Sequence, residues 1–405
     1  MMPAPLLPLI ALLPFLLLLG VLLWPALLLT LQLGAALFAR AARRPPARAT
    51  SGGRPRIAVL VPAHNEALGI GATLASIAAQ LAEGDRLLVV ADNCSDATAV
   101  IARAHGVETL ERHEPARRGK GYALDAGVRH LAQAPPQVLV VIDADCLLAP
   151  HALTHLGASC RAQRRPAQAL YLMRAKPGAT PATRVAEFAW IVRNWLRPLG
   201  CARLGLPCQL MGTGMAFPWE AISAAPLASG AIVEDLALGL DLAAVGLAPR
   251  FCPQAQVLSE FPDNQAGARS QRTRWEHGHL DLLLRQGPRL LFKALRERNG
   301  ALLFLAADLC VPPLGLLVLA STALALLGAA LAAACACVWP WALGGLPLLL
   351  VVLTLVAAWF KAGRRALPPR ALAHVALYLL RKLPLYAAFV LRRQREWIAS
   401  SRDQP

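Results

Sequence analysis

Two aspartates one residue apart, Asp143 and Asp145, close the valine-rich run of the stretch VLVVIDADCLL. Its five apolar residues, Val138 to Ile142, read as a buried strand of a parallel sheet that delivers both carboxylates to the sheet's carboxyl edge. Ligands bind at that edge. Two carboxylates so spaced can turn toward one divalent ion, and Mg²⁺ or Mn²⁺ held this way keeps open positions for phosphate oxygens. That chemistry suits a nucleoside diphosphate. The same pattern also ends ordinary strands, where aspartate side chains cap loop amides, so the neighbouring elements have to decide.

Those elements repeat one arrangement. Ile57 to Val61 reads as a strand ending in Pro62, Ala63, His64, Asn65 and Glu66, with a helical pattern over Gly71 to Leu81. Leu87 to Ala91 is a second strand, ending in Asp92, Asn93, Cys94, Ser95 and Asp96, and Ala97 to His105 continues as a helix. Val107 to Leu110 fits a short third strand, and Gly119-Lys120-Gly121 precedes a helix over Tyr122 to Leu131. Alternating strands and helices imply an α/β fold with a parallel sheet and right-handed crossovers. A nucleotide laid across the strand ends would meet Asn65 and Glu66, then Asp92, then Asp143 and Asp145. Asp92 and Asp96 are equally suited to turn and cap work. Lys120 could reach a phosphate or serve as a solvated loop lysine, and His64 fits a loop hydrogen-bonder.

The series PAHNE, DNCSD, GKGYALDAG and DAD, in this order and spacing, resembles the nucleotide half of the inverting family 2 glycosyltransferases. The resemblance implies a GT-A (Rossmann-like) fold and a UDP-sugar donor. It places the donor against Pro62, Asn65, Glu66, Asp92, Lys120 and Asp143, and the metal at Asp143 and Asp145. In the second half, Met211-Gly212-Thr213-Gly214-Met215 is a turn whose glycines would let backbone approach a sugar, or a tight turn between strands. Val233-Glu234-Asp235-Leu236 opens a helical run over Leu236 to Ala244, and Asp235 resembles the family's catalytic base. Val233 stands where the family often has threonine. Inversion needs one carboxylate to deprotonate the attacking hydroxyl on the face opposite the leaving diphosphate. With an ordinary pKa of about 3.9 an aspartate is a weak base, so position must supply its effect. Acidic residues at a helix start also serve the helix dipole alone.

Gln271, Arg274 and Trp275, at i, i+3 and i+4, share one helical face and match the family's Gln-x-x-Arg-Trp motif. By resemblance Arg274 binds the diphosphate, which its planar donor fork suits. Trp275 lies beneath the acceptor sugar, with Gly212, Thr213, Gly214, Glu234 and Gln271 completing the acceptor side. The same residues would also fit an amphipathic helix at the headgroup region of a membrane.

A membrane is indicated by composition. The chain of 405 residues is 56% hydrophobic, with a mean hydropathy of +0.47. No charged side chain occurs from Met1 to Ala39, and only Asp308 from Ala301 to Phe360. At about 20 apolar residues per span, the first block holds one long span and the second two, so about three are expected. The first block is too long for a signal core and reads as an anchor, kinked at Pro14 and Pro25 or split into two short helices. Arg40, Arg43, Arg44, Arg48, Arg54 and Arg56 follow it, and Lys361, Arg364, Arg365 and Arg370 follow the second block. The positive-inside rule puts both clusters, and the domain between them, on the cytoplasmic face of a bacterial-type inner membrane. The expected order is therefore an anchor over 1–39, a basic linker over 40–56, a GT-A domain over 57–285 and an interfacial connector over 286–300. A membrane hairpin over 301–360, turning near Cys337 to Trp341, and cytoplasmic interfacial helices with a tail over 361–405 follow. Phe188 to Leu199 and Ala371 to Trp397 fit helices lying in the interface.

The net charge of +17 accompanies no nucleic-acid-binding pattern, and the arginines beside apolar segments suit anionic lipid headgroups. Nine scattered cysteines without paired metal spacing fit free thiols in a reducing compartment. The partners this implies are a UDP-sugar, a lipid-linked or glycan acceptor, membrane lipids and, in one reading, polysaccharide assembly or export proteins. A processive polysaccharide synthase, or a non-catalytic scaffold of an export complex, are the alternatives to transfer of a few sugars.

Overall fold

The computed structural model describes residues 6–38, 53–262 and 264–391. Most of the expected basic linker and the last fourteen residues lie outside them. The chain forms two compact units. One contains the expected sugar-transfer motifs. The other gathers the N-terminal helix, Ala179–Gly200 and the described chain from Ala307 to Leu391.

The first unit is built on an eight-stranded sheet of order β3-β2-β1-β4-β7-β6-β8-β5. Its strands are β1 (Ile57–Ala63), β2 (Arg86–Asp92), β3 (Glu108–Arg112), β4 (Val138–Val141), β5 (Leu147–Leu148), β6 (Ala167–Arg174), β7 (Met215–Pro218) and β8 (Arg250–Glu260). Strands β3, β2, β1 and β4 are parallel, as the alternation with helices Ile70–Ala78, Thr98–Ala104 and Lys120–Leu131 requires. Beyond β4 the sheet turns mixed: β7 runs antiparallel to β4 and β6, while β6 and β8 are parallel. The apolar residues of β1, β2 and β4 are buried on both faces, among them Leu60, Leu88 and Leu139. Phe217 of β7 extends the same core.

The expected valine-rich strand is β4, which ends at Val141, and the two aspartates follow it; Cys146 N–H turns back to the Asp143 carbonyl. Leu147 and Leu148 then pair with β8 at the far edge of the sheet. The aspartates therefore occupy a crossing loop between two distant strands. Helix starts also move: Lys120 is the first residue of its helix and not part of a preceding loop, and Glu234 rather than Leu236 opens Glu234–Ala244. Residues 271–275 lie in one long helix, Gln265–Arg296, which also takes in most of the expected connector and continues through Pro288.

In the second unit the Leu6–Phe38 helix is continuous, with Pro14 and Pro25 inside it, so the anchor is one helix and not two. Four helical segments, rather than three, are long and apolar enough to cross a membrane: Leu12–Phe38, Leu314–Cys335, Trp339–Gly363 and Pro369–Leu391. The fourth covers the stretch expected to lie in the interface; its mean hydropathy is the lowest at 1.3. The turn between the second and third falls at the expected place, since one ends at Cys335 and the next starts at Trp339. Helices Pro181–Ile191 and Arg197–Arg203 are joined by a π-helical turn over Val192–Leu196. Phe188, Ile191, Val192 and Leu196 are buried, so this stretch packs against protein as well as being amphipathic. A closed polar group ties it in place. Gln32 Nε2 donates to Asp308 Oδ1 at 2.6 Å, and Arg197 donates to Gln32 Oε1 at 2.8 Å and to Asp308 Oδ1 at 2.6 Å. In apolar surroundings a charge persists only when paired in this way.

Candidate active site

The loop joining β4 to β5 is fixed from several sides. Asp143 N–H donates to Thr213 Oγ1 at 3.0 Å, Thr73 Oγ1 donates to the Ala144 carbonyl at 2.8 Å, and Ser259 Oγ donates to Asp145 Oδ2 at 3.2 Å. Fully buried Gln168 holds the facing loop: its amide donates to the Thr213 carbonyl and accepts from Met211 N–H, both at 2.9 Å. Gly214 N–H donates to the Val141 carbonyl at 3.0 Å, which docks this loop on the end of β4.

Between these loops lies a group of opposite charges. The Lys120 ammonium contacts Asp143 Oδ1, donates to the Gly212 carbonyl at 2.7 Å and stands 3.8 Å from Glu234 Oε1. Gly212 has φ of 85°, a left-handed conformation in which a side chain is strained. A Cβ there would lie 3.5 Å from Asp235 Oδ2, 3.7 Å from Lys120 Nζ and 3.9 Å from Asp143 Oδ2. Four motifs far apart in sequence thus meet around one bare backbone atom. Burial opposes the Lys120 charge, but the surrounding Asp143, Glu234 and Asp235 carboxylates outweigh it and raise its pKa. Burial pushes Glu234 up to about 7, with Asp235 and Asp143 adding and Lys120 opposing. Asp235 Oδ1 accepts Leu236 N–H at 2.9 Å, while Oδ2 is the atom turned to Gly212.

The strand ends of β1 and β2 are locked together. Pro62 lies in β1 opposite Val90. Asn65, at φ of 54°, accepts Ser95 N–H at 2.8 Å, and Glu66 N–H donates to Thr98 Oγ1 at 2.8 Å. Asp96 accepts from Ala67 N–H and Thr98 N–H, each at 3.0 Å, which is turn work just before the helix. Asp92 is buried and its pKa is raised by that burial, against the pull of Arg112, whose Nη1 lies 2.5 Å from Asp92 Oδ1. His64 Nδ1 meets the Asp92 carbonyl at 2.7 Å, a loop hydrogen bond. Arg112 also stacks over Tyr122 at 5.4 Å, so this part of the site is shaped by a residue the motifs do not include.

Gln271 is buried, Arg274 and Trp275 are half-buried, and the next residue on their helical face is Gly278. A Cβ on Gly278 would lie 2.8 Å from Val233 Cγ1 and 3.2 Å from Ile232 Cγ2. The face carrying Gln271, Arg274 and Trp275 is thereby turned to the segment that leads into Glu234 and Asp235. Val233, which caps its helix without a side-chain hydrogen bond, is instead a packing surface.

Asp143, Asp145 and Cys146 offer ligand atoms within 4.8 Å of one another. The two carboxylates are hard donors that suit Mg²⁺ or Mn²⁺. That the Lys120 ammonium rests on Asp143 shows that the spot favours a cation. The residues fit the ion. Thr213, expected on the acceptor side, also holds the Asp143 loop, whereas Gln168, Ser259 and Arg112 were not singled out by sequence; of these three only Gln168, a lone amide in the run AQALYLM, carries a visible signal.

The chain is 27% identical over 241 residues to the probable glycosyltransferase YdaM of Bacillus subtilis. That match takes in 57% of this chain and 57% of the relative, so the chain spans little more than half the relative's length. Among solved structures, the mannosyltransferase PcManGT of Pyrobaculum calidifontis, in complex with GDP-Man and Mn²⁺, superposes with a TM-score of 0.51. It is 19% identical, and the alignment covers 86% of this chain and 98% of that one, a likeness of fold. Glucosyl-3-phosphoglycerate synthase of Mycobacterium tuberculosis, solved with Mn²⁺, UDP and phosphoglyceric acid, is 23% identical over 55% of this chain and 78% of its own, with a TM-score of 0.37. The profile described as glycosyltransferase like family 2 matches residues 55–278, more than half of the chain and all the loops described above, and the protein belongs to that family.

Proposed function

We propose that the protein transfers a sugar from a UDP-sugar to a hydroxyl of a lipid-linked or polysaccharide acceptor at the cytoplasmic face of a membrane, with inversion. The observation that carries this reading is the meeting of Asp143, Lys120 and Asp235 around Gly212. It puts a phosphate-side cation and a candidate base within 4 Å of one backbone position. Asp143 and Asp145 would hold Mg²⁺ or Mn²⁺, which when bound supplies charge stabilisation to a leaving diphosphate.

The chain's own groups do the rest. Asp235 Oδ1 is held by Leu236 N–H, and Oδ2, the atom beside Gly212, accepts the acceptor's hydroxyl proton. As that proton moves, the acceptor oxygen bonds to the anomeric carbon and the bond to the diphosphate oxygen breaks on the other face. Lys120 neutralises carboxylates that would otherwise repel the donor's phosphates. Arg274 suits the diphosphate and Trp275 the acceptor ring, on the helix that Gly278 docks beside Val233. The membrane-facing acceptor is supported by the four apolar segments, and the cytoplasmic side by the basic residues that flank them. Four segments of one chain enclose a polar glycan poorly, which favours a few transfers over long polymer synthesis.

The test is nucleotide release by the full-length protein in lipid, with Mn²⁺ or Mg²⁺, across a panel of UDP-sugars and GDP-mannose, beside Asp235→Asn. UDP should appear with transferred sugar, and the variant should lose about 10²–10⁴-fold in turnover while still binding donor. Unchanged turnover in Asp235→Asn would remove the base assignment. Release of GDP alone would reassign the donor, and a ladder of long polymers would make the enzyme processive.

A further inference from the structure

Away from the aspartates, the first residues of β6 and β8 lie side by side, Ala167 opposite Arg250. Next to them is a cavity of about 360 Å³, lined by Gln163, Arg165, Ala202, Leu206, Arg250 and Phe251. Strand β8 runs from Arg250 to the Ser259 that holds Asp145. At about 3.3 Å per residue this sets the cavity roughly 25–30 Å from the candidate metal site, too far to be part of a donor site there.

Two guanidinium groups line the cavity and no carboxylate does. Arg250 is fixed by its Nη1, which donates to the Gly205 carbonyl at 2.5 Å. Arg203, between the lining residues Ala202 and Leu206, has Nε and Nη1 buried with no hydrogen-bond partner among the described residues. Arginines just past a helix C-terminus also serve the helix dipole, and Arg165 follows the helix Ala152–Gln163. Arg250 comes from the start of a strand and commits only its Nη1 to the Gly205 carbonyl past Arg197–Arg203, so the two guanidinium groups reach the cavity from different elements. The volume lies at the lower end of small-molecule sites and exceeds what a bare phosphate fills. Leu206 and Phe251 give it an apolar wall.

We propose that this cavity binds a phosphate group that carries a small organic or lipid substituent. Arg165 and Arg250 take the phosphate oxygens through their donor forks, the Gln163 amide adds a neutral donor, and Leu206 with Phe251 covers the substituent.

The test uses the full-length protein in an uncharged detergent, with glycerol 3-phosphate and short-chain phosphatidylglycerol as separate probes, read by calorimetry. Saturable binding is expected for at least one probe, and Arg165→Gln should weaken it about tenfold or more, with Arg165→Lys restoring part of the loss. Asp143→Asn, which alters the candidate metal site, should leave it unchanged. Binding of glycerol 3-phosphate identifies a soluble phosphate ester as the ligand; binding of phosphatidylglycerol alone identifies a lipid headgroup. No binding of either probe, equal binding by Arg165→Gln, or a loss confined to Asp143→Asn would overturn the proposal. Retained UDP-sugar binding by Arg165→Gln shows that the variant is folded.

Discussion

Glu234 and Asp235 are chain neighbours in different electrostatic situations. Asp235 is steadied by a backbone amide, whereas Glu234 is raised by burial to about 7 from an ordinary value of 4.5. Between those two values an unfolded chain has released a proton that the folded chain still holds. The folded state therefore loses stability from this residue as pH rises through the window, and loses no more above it. Glu234→Gln should flatten that slope: between about pH 5 and 7 the unfolding temperature of the variant should fall less than that of the parent. Parallel curves would show that Glu234 is already ionised at low pH, held so by Lys120. Asp143, Asp145, Lys120, Glu234 and Asp235 could all be picked from the sequence, since each is a charged residue in a short motif. Most of their supports could not, because Gln168, Ser259 and Arg112 are ordinary residues whose role exists only through a partner distant in sequence.

Among the elements, the helix Gln265–Arg296 is set by a glycine. Gly278 lets it approach Val233, and a methyl there would meet Val233 Cγ1 at 2.8 Å. Gly278→Ala should destabilise the protein by about 1–3 kcal/mol and lower turnover as the helix is pushed from the Glu234–Asp235 segment. Val233→Ala in the same chain should recover most of both, a coupling that thermal unfolding and donor-release assays would measure together. Additive losses would mean the two residues do not share this contact. The polar group Gln32–Arg197–Asp308 makes a second element-level prediction. Asp308→Ala leaves the Arg197 cation without its carboxylate and should cost about 3–5 kcal/mol, with Asp308→Asn costing less. Detergent-solubilised thermal unfolding reads this directly. Helix periodicity and strand runs made most of these elements legible. The second half of the sheet was not, because β6, β7 and β8 pair with strands remote in sequence and in mixed directions, which no local pattern records.

For the whole molecule, the fourth apolar segment decides topology. Pro369–Leu391 is long enough to span, yet Arg381 and Lys382 sit near its middle, and Arg392, Arg393 and Arg395 follow it. With the basic residues after the first segment inside, a fourth crossing would send these last arginines outside, against the positive-inside rule. We expect the segment to lie in the interface. A C-terminal tag should then resist protease in sealed inside-in vesicles, while Cys337, exposed at the turn between Leu314–Cys335 and Trp339–Ala358, should react with an impermeant maleimide. Protease loss of the tag in sealed vesicles would establish the fourth crossing.

The sequence by itself determined the parallel half of the sheet, the order of the motifs and the apolar blocks, because these follow from local periodicity and from short runs of particular residue types. It also carried the family likeness on which the site residues were chosen. Only the tertiary structure decided that the loop carrying Asp143 and Asp145 crosses from β4 to pair Leu147 and Leu148 with β8 at the far edge of the sheet, and that Lys120, Gly212 and Asp235 surround the same space. Such placement depends on which distant strand accepts each edge and on where a missing Cβ permits close approach, and neither is encoded in any window of neighbouring residues.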